Sequence, residues 1–166
     1  TGGITATTYA GPGPNTYGAY GIFATGAEVS VDNTGGISAE GFYATGVNVV
    51  AGVAGGAVAN EGGISAYAAY ATGINVVSGG EVSVTNSGGI TAGDTASYLA
   101  TGIRATSNDA GADIVVQNDG GITATSIYGS NGIDVAALGD GSSATVDNTA
   151  GITAIQKTAR ISLANQ

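Results

Sequence analysis

Cysteine, histidine, methionine and tryptophan are all absent from this chain, and each absence removes something. Without cysteine there is no disulfide framework and no thiolate metal site, and without histidine the usual acid–base group and zinc ligand are missing. Basic residues are scarce as well: 3 Lys and Arg stand against 12 Asp and Glu, a net charge of −9. A phosphate backbone or an anionic membrane surface is repelled by such a chain, so nucleic acid is excluded as a partner. No long hydrophobic run exists. The longest, Val47 to Ala59, is broken by Asn48 and several glycines and falls short of the roughly 20 residues that cross a bilayer, so this segment does not insert into a membrane. With only 2 Phe among 166 residues, a core must be assembled from Ile, Val and Ala.

What the chain has in abundance is glycine, 31 residues of it, and a period. Glycine and serine at this level approach a low-complexity composition, but the apolar positions return too strictly for disorder. A Gly-Ile pair followed by Ser or Thr and then Ala recurs at Ile4, Ile37, Ile64, Ile90, Ile122 and Ile152, in steps of 26 to 33 residues. Steps of this size mark a solenoid. A second segment follows a glycine at Ile22, Val47, Ile74, Ile103 and Ile133, with an apolar partner two residues on at Ala24, Val49, Val76, Ala105 and Val135. A third carries Val31, Val58, Val84, Val116 and Val146, each two residues before an asparagine. All three alternate with period 2, the pattern of a strand with one buried face.

Three short strands per repeat predict an all-β chain folded as a right-handed parallel β-helix, with about five three-strand coils of 26–33 residues and a partial sixth. At about 4.8 Å per coil the rod is on the order of 25 Å long. Residues 1–166 form one β-helix segment, and the absence of methionine and the start inside a repeat suggest a fragment of a longer repetitive chain. The corner after the third strand is predicted to be the most constrained place. Asn33, Asn60, Asn86, Asn118 and Asn148 each precede the next Gly-Ile isoleucine by four residues, and in register their amides form a ladder. Asparagine tolerates the αL conformation, and the paired glycines behind it, such as Gly35-Gly36, ease the bend. Ala150 replaces the first glycine in the last unit and is expected to weaken that turn.

The motif Asn-x-x-Gly-Ile-(Ser/Thr)-Ala, as in Asn86 to Ala92, together with the later Thr-Gly-Ile, as in Thr72-Gly73-Ile74, resembles the repetitive passenger regions of bacterial autotransporter and related adhesin-like secreted surface proteins. The resemblance covers nearly the whole chain. It implies an extracellular or bacterial outer-cell-surface location, and a structural role in adhesion or biofilm interaction, with other cell surfaces, glycans or neighbouring copies as partners. The anchoring barrel of such families is not visible in this sequence. The first functional reading is therefore a rigid, adhesive β-solenoid rod, not an enzyme. The alternative is a filament subunit joined end to end by its open strand edges, and the third is a polysaccharide-acting β-helix enzyme.

Candidate sites lie where the repeats disagree. The first spacer contains Tyr9, Pro12, Pro14, Asn15 and Tyr17 and reads as a protruding, partner-binding loop. Asp94, Asp109 and Asp113 are the candidate carboxylates of a catalytic groove, with solvated turns as the plain reading. Asn108 to Asp113 offers oxygen atoms to calcium but lacks both the EF-hand and the nonapeptide pattern, so neither a metal nor a cofactor is assigned. Tyr43, Tyr70, Tyr98 and Tyr128 fall three or four residues before the second Gly-Ile or Gly-Val and are expected to stack coil on coil and cover one corner, with sugar binding by the aromatic stripe as the alternative. Arg104 and Asp134 are expected to pair across adjacent strands. The Ser and Thr rank at 5, 38, 65, 91, 123 and 153 suggests a flat, ice-binding-like face, but the positions two residues on form no second rank.

Overall fold

Alternating apolar residues in segments too short to fold alone must bury their faces against copies of themselves, and the chain does this by winding into stacked coils. The computed structural model describes residues 3–7 and 18–156. They contain twelve strands and no helix: β1 (Ile4–Thr7), β2 (Gly18–Asn33), β3 (Ile37–Asn60), β4 (Ile64–Ser78), β5 (Val82–Asn86), β6 (Ile90–Ala92), β7 (Leu99–Ser107), β8 (Ile114–Asn118), β9 (Ile122–Ser126), β10 (Gly129–Ala137), β11 (Ala144–Asn148) and β12 (Ile152–Gln156). In the short coils the ladder continues around the corners, so β3 alone makes one whole coil. Longer spacers interrupt it, and the fourth coil is divided into β6, β7 and β8.

Every strand pairing is parallel, and the three faces stack in the register that the spacing predicts. On the first face Ile4, Ile37, Ile64, Ile90, Ile122 and Ile152 lie one above another. The second face aligns Ile22, Val47, Ile74, Ile103 and Ile133, and the third aligns Val31, Val58, Val84, Val116 and Val146. One irregularity interrupts the second corner, between Gly26 and Glu28, where Gly55 of the next coil adopts φ 106°.

Two packed columns fill the interior. The larger is aliphatic, with Ile64, Ile74, Ile90, Ile103, Ile114 and Ile122 fully buried, each stabilising the fold by about 1.5–3 kcal/mol. The second fills the corner between the first and second faces with alanine alone: Ala39, Ala66, Ala92 and Ala124 against Ala19, Ala44, Ala71 and Ala100. The backbones converge there until only a methyl group fits. Glycines of the Thr-Gly-Ile motif complete the packing. A Cβ on Gly21, Gly46, Gly73, Gly102 or Gly132 would overlap the Cγ2 of Ile37, Ile64, Ile90, Ile122 or Ile152, the isoleucine that opens the next coil. Each isoleucine is thus a knob seated in a hole left by the preceding coil.

The asparagine corner forms the expected ladder by a different backbone route. Nδ2 of Asn33, Asn60 and Asn86 donates to Oδ1 of the next asparagine at 2.7 Å, and Asn118 donates to Asn148 at 2.6 Å. The same nitrogens, and that of Asn148, also donate to the carbonyl oxygen two residues on, at 2.8–2.9 Å. None of the described asparagines adopts αL, and the corner glycines do not have positive φ either. The bend is made without positive φ, and the glycines answer a steric demand: a Cβ on Gly62, Gly88 or Gly120 would collide with the carbonyl oxygen of Gly35, Gly62 or Gly88 one coil below. Ala150 occupies the corresponding place in the last turn. The carbonyls of Asn33, Asn60 and Asn86 each accept two backbone N–H groups, whereas Asn118 accepts only that of Thr149, at 3.0 Å. The weakening expected at Ala150 is this lost bond.

Asn86 is 1 % exposed, and its removal strands a donor on Asn60 and an acceptor on Asn118. Asn86→Ala is therefore expected to lower stability by about 2–4 kcal/mol, and Asn148→Ala, at the exposed last rung, by less than about 1 kcal/mol; equal losses in urea denaturation would contradict a buried ladder. Two glycines offer a second test. Gly73→Val should cost about 3 kcal/mol or more by overpacking, while at Gly89, where a Cβ meets open space, the same substitution should stay within about 0.5 kcal/mol.

Candidate functional site

The corner between the first and second faces gathers most of the aromatic side chains. Tyr43 and Tyr70 are in register and stack at 4.8 Å with their planes 17° apart, a match to the spacing of adjacent strands. The next residues in that register are Leu99 and Gly129, because the longer spacers of those coils shift Tyr98 and Tyr128 by one residue. The rings nevertheless continue the column. Tyr70 meets Tyr98 edge-on at 5.9 Å, Tyr98 meets Tyr128 at 5.8 Å, and Phe42 packs on Tyr43 and Tyr70 at 5.1 and 5.7 Å. Coil-on-coil stacking thus holds through ring contact even where strict register does not.

Beside this column runs a groove of about 450 Å³. Its floor is Gly41, Ala68 and Ala69, and its walls are Phe42, Tyr67 and Tyr98, with Glu40 and Asp94 at the rim. The small floor residues and the turn of the fourth coil create it together. Gly93, at φ 70°, turns that coil away from the line of its neighbours, and Asp94 caps the turn by accepting from the N–H groups of Ala96 and Ser97 at 2.7 and 3.0 Å. Tyr67 follows Thr7 and Glu40 in the outward row; its ring is 40 % exposed. The outward position of Tyr67 is readable two residues after Ser65, but its place in a groove is not, because the groove also needs the turn of the fourth coil.

Other predicted groups are placed differently. Tyr9, Pro12, Pro14, Asn15 and Tyr17 lie outside the described residues. Asp94 is in the first corner and Asp109 and Asp113 are in the second, between β7 and β8, so the three carboxylates do not converge. The Asp113 carboxylate accepts from the N–H and hydroxyl of Ser143 at 2.8 and 2.9 Å, a structural turn contact. Among the described residues no group of three acidic side chains is arranged to hold a metal ion. Arg104 and Asp134 form the expected cross-strand pair at 3.1 Å, both substantially exposed and worth at most about 1 kcal/mol. Ser and Thr residues 5, 38, 65, 91, 123 and 153 are in register, and the row beside them mixes Thr7, Glu40 and Tyr67.

Tyr70 touches three rings, whereas Tyr128 touches one. Tyr70→Ala is expected to destabilise by about 1–2 kcal/mol and Tyr128→Ala by less than about half of that, measured by chemical denaturation. Comparison of the chain with protein-family models, with curated proteins and with solved structures finds no match to any of them.

Proposed function

We propose that this chain is a rigid β-solenoid rod of a bacterial outer surface or the extracellular space, working as a structural and adhesive element rather than as an enzyme. The observation that carries the reading is the division of labour within each coil. Inward positions repeat from coil to coil as the same aliphatic, alanine, glycine and asparagine columns, so the scaffold is uniform. The positions between the inward ones vary along a single row, Phe23, Asn48, Asn75, Arg104 and Asp134; Phe23, Arg104 and Asp134 reach solvent, while Asn75 donates to a buried Asn48 at 2.7 Å. A uniform core with a variable exterior suits a spacer that holds contact surfaces at a distance. A second reading, a filament subunit, draws on the ladder itself: the described coils pair edge to edge in parallel and in one register, and a coil from another copy would meet such an edge in the same way.

Three cleavage sites make a proteolytic test direct. Trypsin can act only after Arg104, Lys157 and Arg160, and Arg104 lies in β7, bonded to β4 on one side and β10 on the other. Cleavage at Arg104 should be at least about a hundredfold slower in the folded chain than in an unstructured peptide of the same local sequence; an equally rapid cut at Arg104 would rule out a rigid rod. Beads coated with the purified chain should adhere to bacterial or host-cell layers above albumin-coated controls, and adhesion no better than the controls would remove the adhesive role. Concentration-dependent fibres in electron micrographs would select the filament reading instead.

A further inference from the structure

We propose that the groove at the first corner binds a short linear chain of amine-bearing sugars, with Tyr67 as the stacking platform and Glu40 and Asp94 as acceptors for the ammonium groups. The assignment gives a ligand class to the adhesive surface proposed above and rests on that reading.

Shape is the first ground. The groove takes its lining from four successive coils, from Thr7 in the first through Glu40 and Phe42 in the second and Tyr67 in the third to Asp94 and Tyr98 in the fourth. It therefore runs along the rod for about 14 Å at the spacing of stacked strands, which suits a linear oligomer better than a single small head group. Its floor of glycine and alanine lets a flat ring approach the backbone.

Aromatic geometry is the second. Phe42 and Tyr98 have committed themselves to the tyrosine column through Tyr70. Tyr67 has no ring partner among the described residues, yet it lines the same groove with its ring 40 % exposed. An unpaired aromatic face set beside other aromatic edges offers its negative π-cloud to polarised C–H groups and to cations. The apolar face of a pyranose supplies the first, and a protonated amine supplies the second.

Charge decides among sugars. Both ionisable groups at the rim are acidic, and Glu40 has neither a hydrogen-bond partner nor an ion-pair partner among the described residues. Asp94, itself exposed, uses one carboxylate oxygen, Oδ1, for its own turn, and Oδ2 takes no part in those bonds. The described cation, Arg104, belongs to the second face and is paired with Asp134. Uronic, sialylated or sulfated sugars are repelled by this arrangement and by the net charge of −9, a neutral sugar gains stacking alone, and an amino sugar gains both.

Titration calorimetry of the purified full chain with a fully deacetylated glucosamine tetramer, its N-acetylated counterpart and a galacturonate tetramer tests the assignment. The expected order is measurable binding of the amine form, binding at least about tenfold weaker for the acetylated form, and none for the uronate. Tyr67→Ala and Glu40→Gln should each weaken the amine form about fivefold or more, while Glu81→Gln, which removes the same charge from a separate groove on the third face, should leave it unchanged. The exposed Tyr67 can be truncated without loss of fold, which circular dichroism checks. Absence of binding by the amine tetramer, equal binding of the acetylated form, or a tetralysine peptide bound as tightly as the sugar and indifferent to Tyr67→Ala would each overturn the proposal. Beads that adhere although the tetramer does not bind would overturn this ligand and leave the rod reading intact; beads that fail to adhere although it binds would support the ligand and remove that reading.

Discussion

Everything in this fold depends on one constraint: a parallel ladder one coil high places like positions directly above like positions. Whatever stands at a site in one coil must tolerate the same backbone environment, about 4.8 Å away, on both sides. An isolated polar group inside such a stack is costly, but a group that is donor and acceptor at once satisfies itself by repetition. Asparagine meets that requirement, and its side chain is the only polar one repeated through the interior corner from Asn33 to Asn118. The aliphatic columns supply the driving force, and the amide column fixes the height at which each coil sits.

The same constraint explains how far the fold could be read from residues alone. Period, strand number and register follow from the return of Ile, Val and Asn, because any slip by one residue would turn an entire face outward. The cause of the glycines was less legible. Gly62 and Gly73 look alike in sequence, and both suggest turns. In the folded chain one makes room for a carbonyl oxygen and the other for an isoleucine methyl group, each belonging to a different coil. No local pattern carries that information, since the crowding atoms belong to Gly35 and Ile90, well outside the local sequence of each glycine. The corner asparagines do not use the αL conformation that asparagine tolerates, and the paired glycines beside them answer the neighbouring coil rather than a need of their own backbone.

The candidate site was legible in part. The tyrosine column could be seen as a spacing before Thr-Gly-Ile, and Arg104 with Asp134 as equivalent positions. The groove could not, because it arises from a difference between coils: the fourth turns outward at Gly93 and draws Asp94 and Tyr98 around residues of the second and third. Repetition discloses scaffold, whereas a site needs a departure from repetition. That is also why the acidic residues, scattered along the sequence, separate into different corners once the chain is wound.

The asparagine column also has a direction. From Asn33 to Asn148 every amide hands its hydrogen to the following coil and none hands it back, so the column is polar like a row of arrows. Within the described residues its two ends are therefore chemically unlike: Asn33 only donates along the column and Asn148 only accepts. A carboxylate can stand only at the receiving end, where it takes a hydrogen and passes none on, and there it would act as a full stop. In the direction in which the hydrogens are handed on, the column thus obeys a rule of syntax: an amide continues the line and an acid closes it.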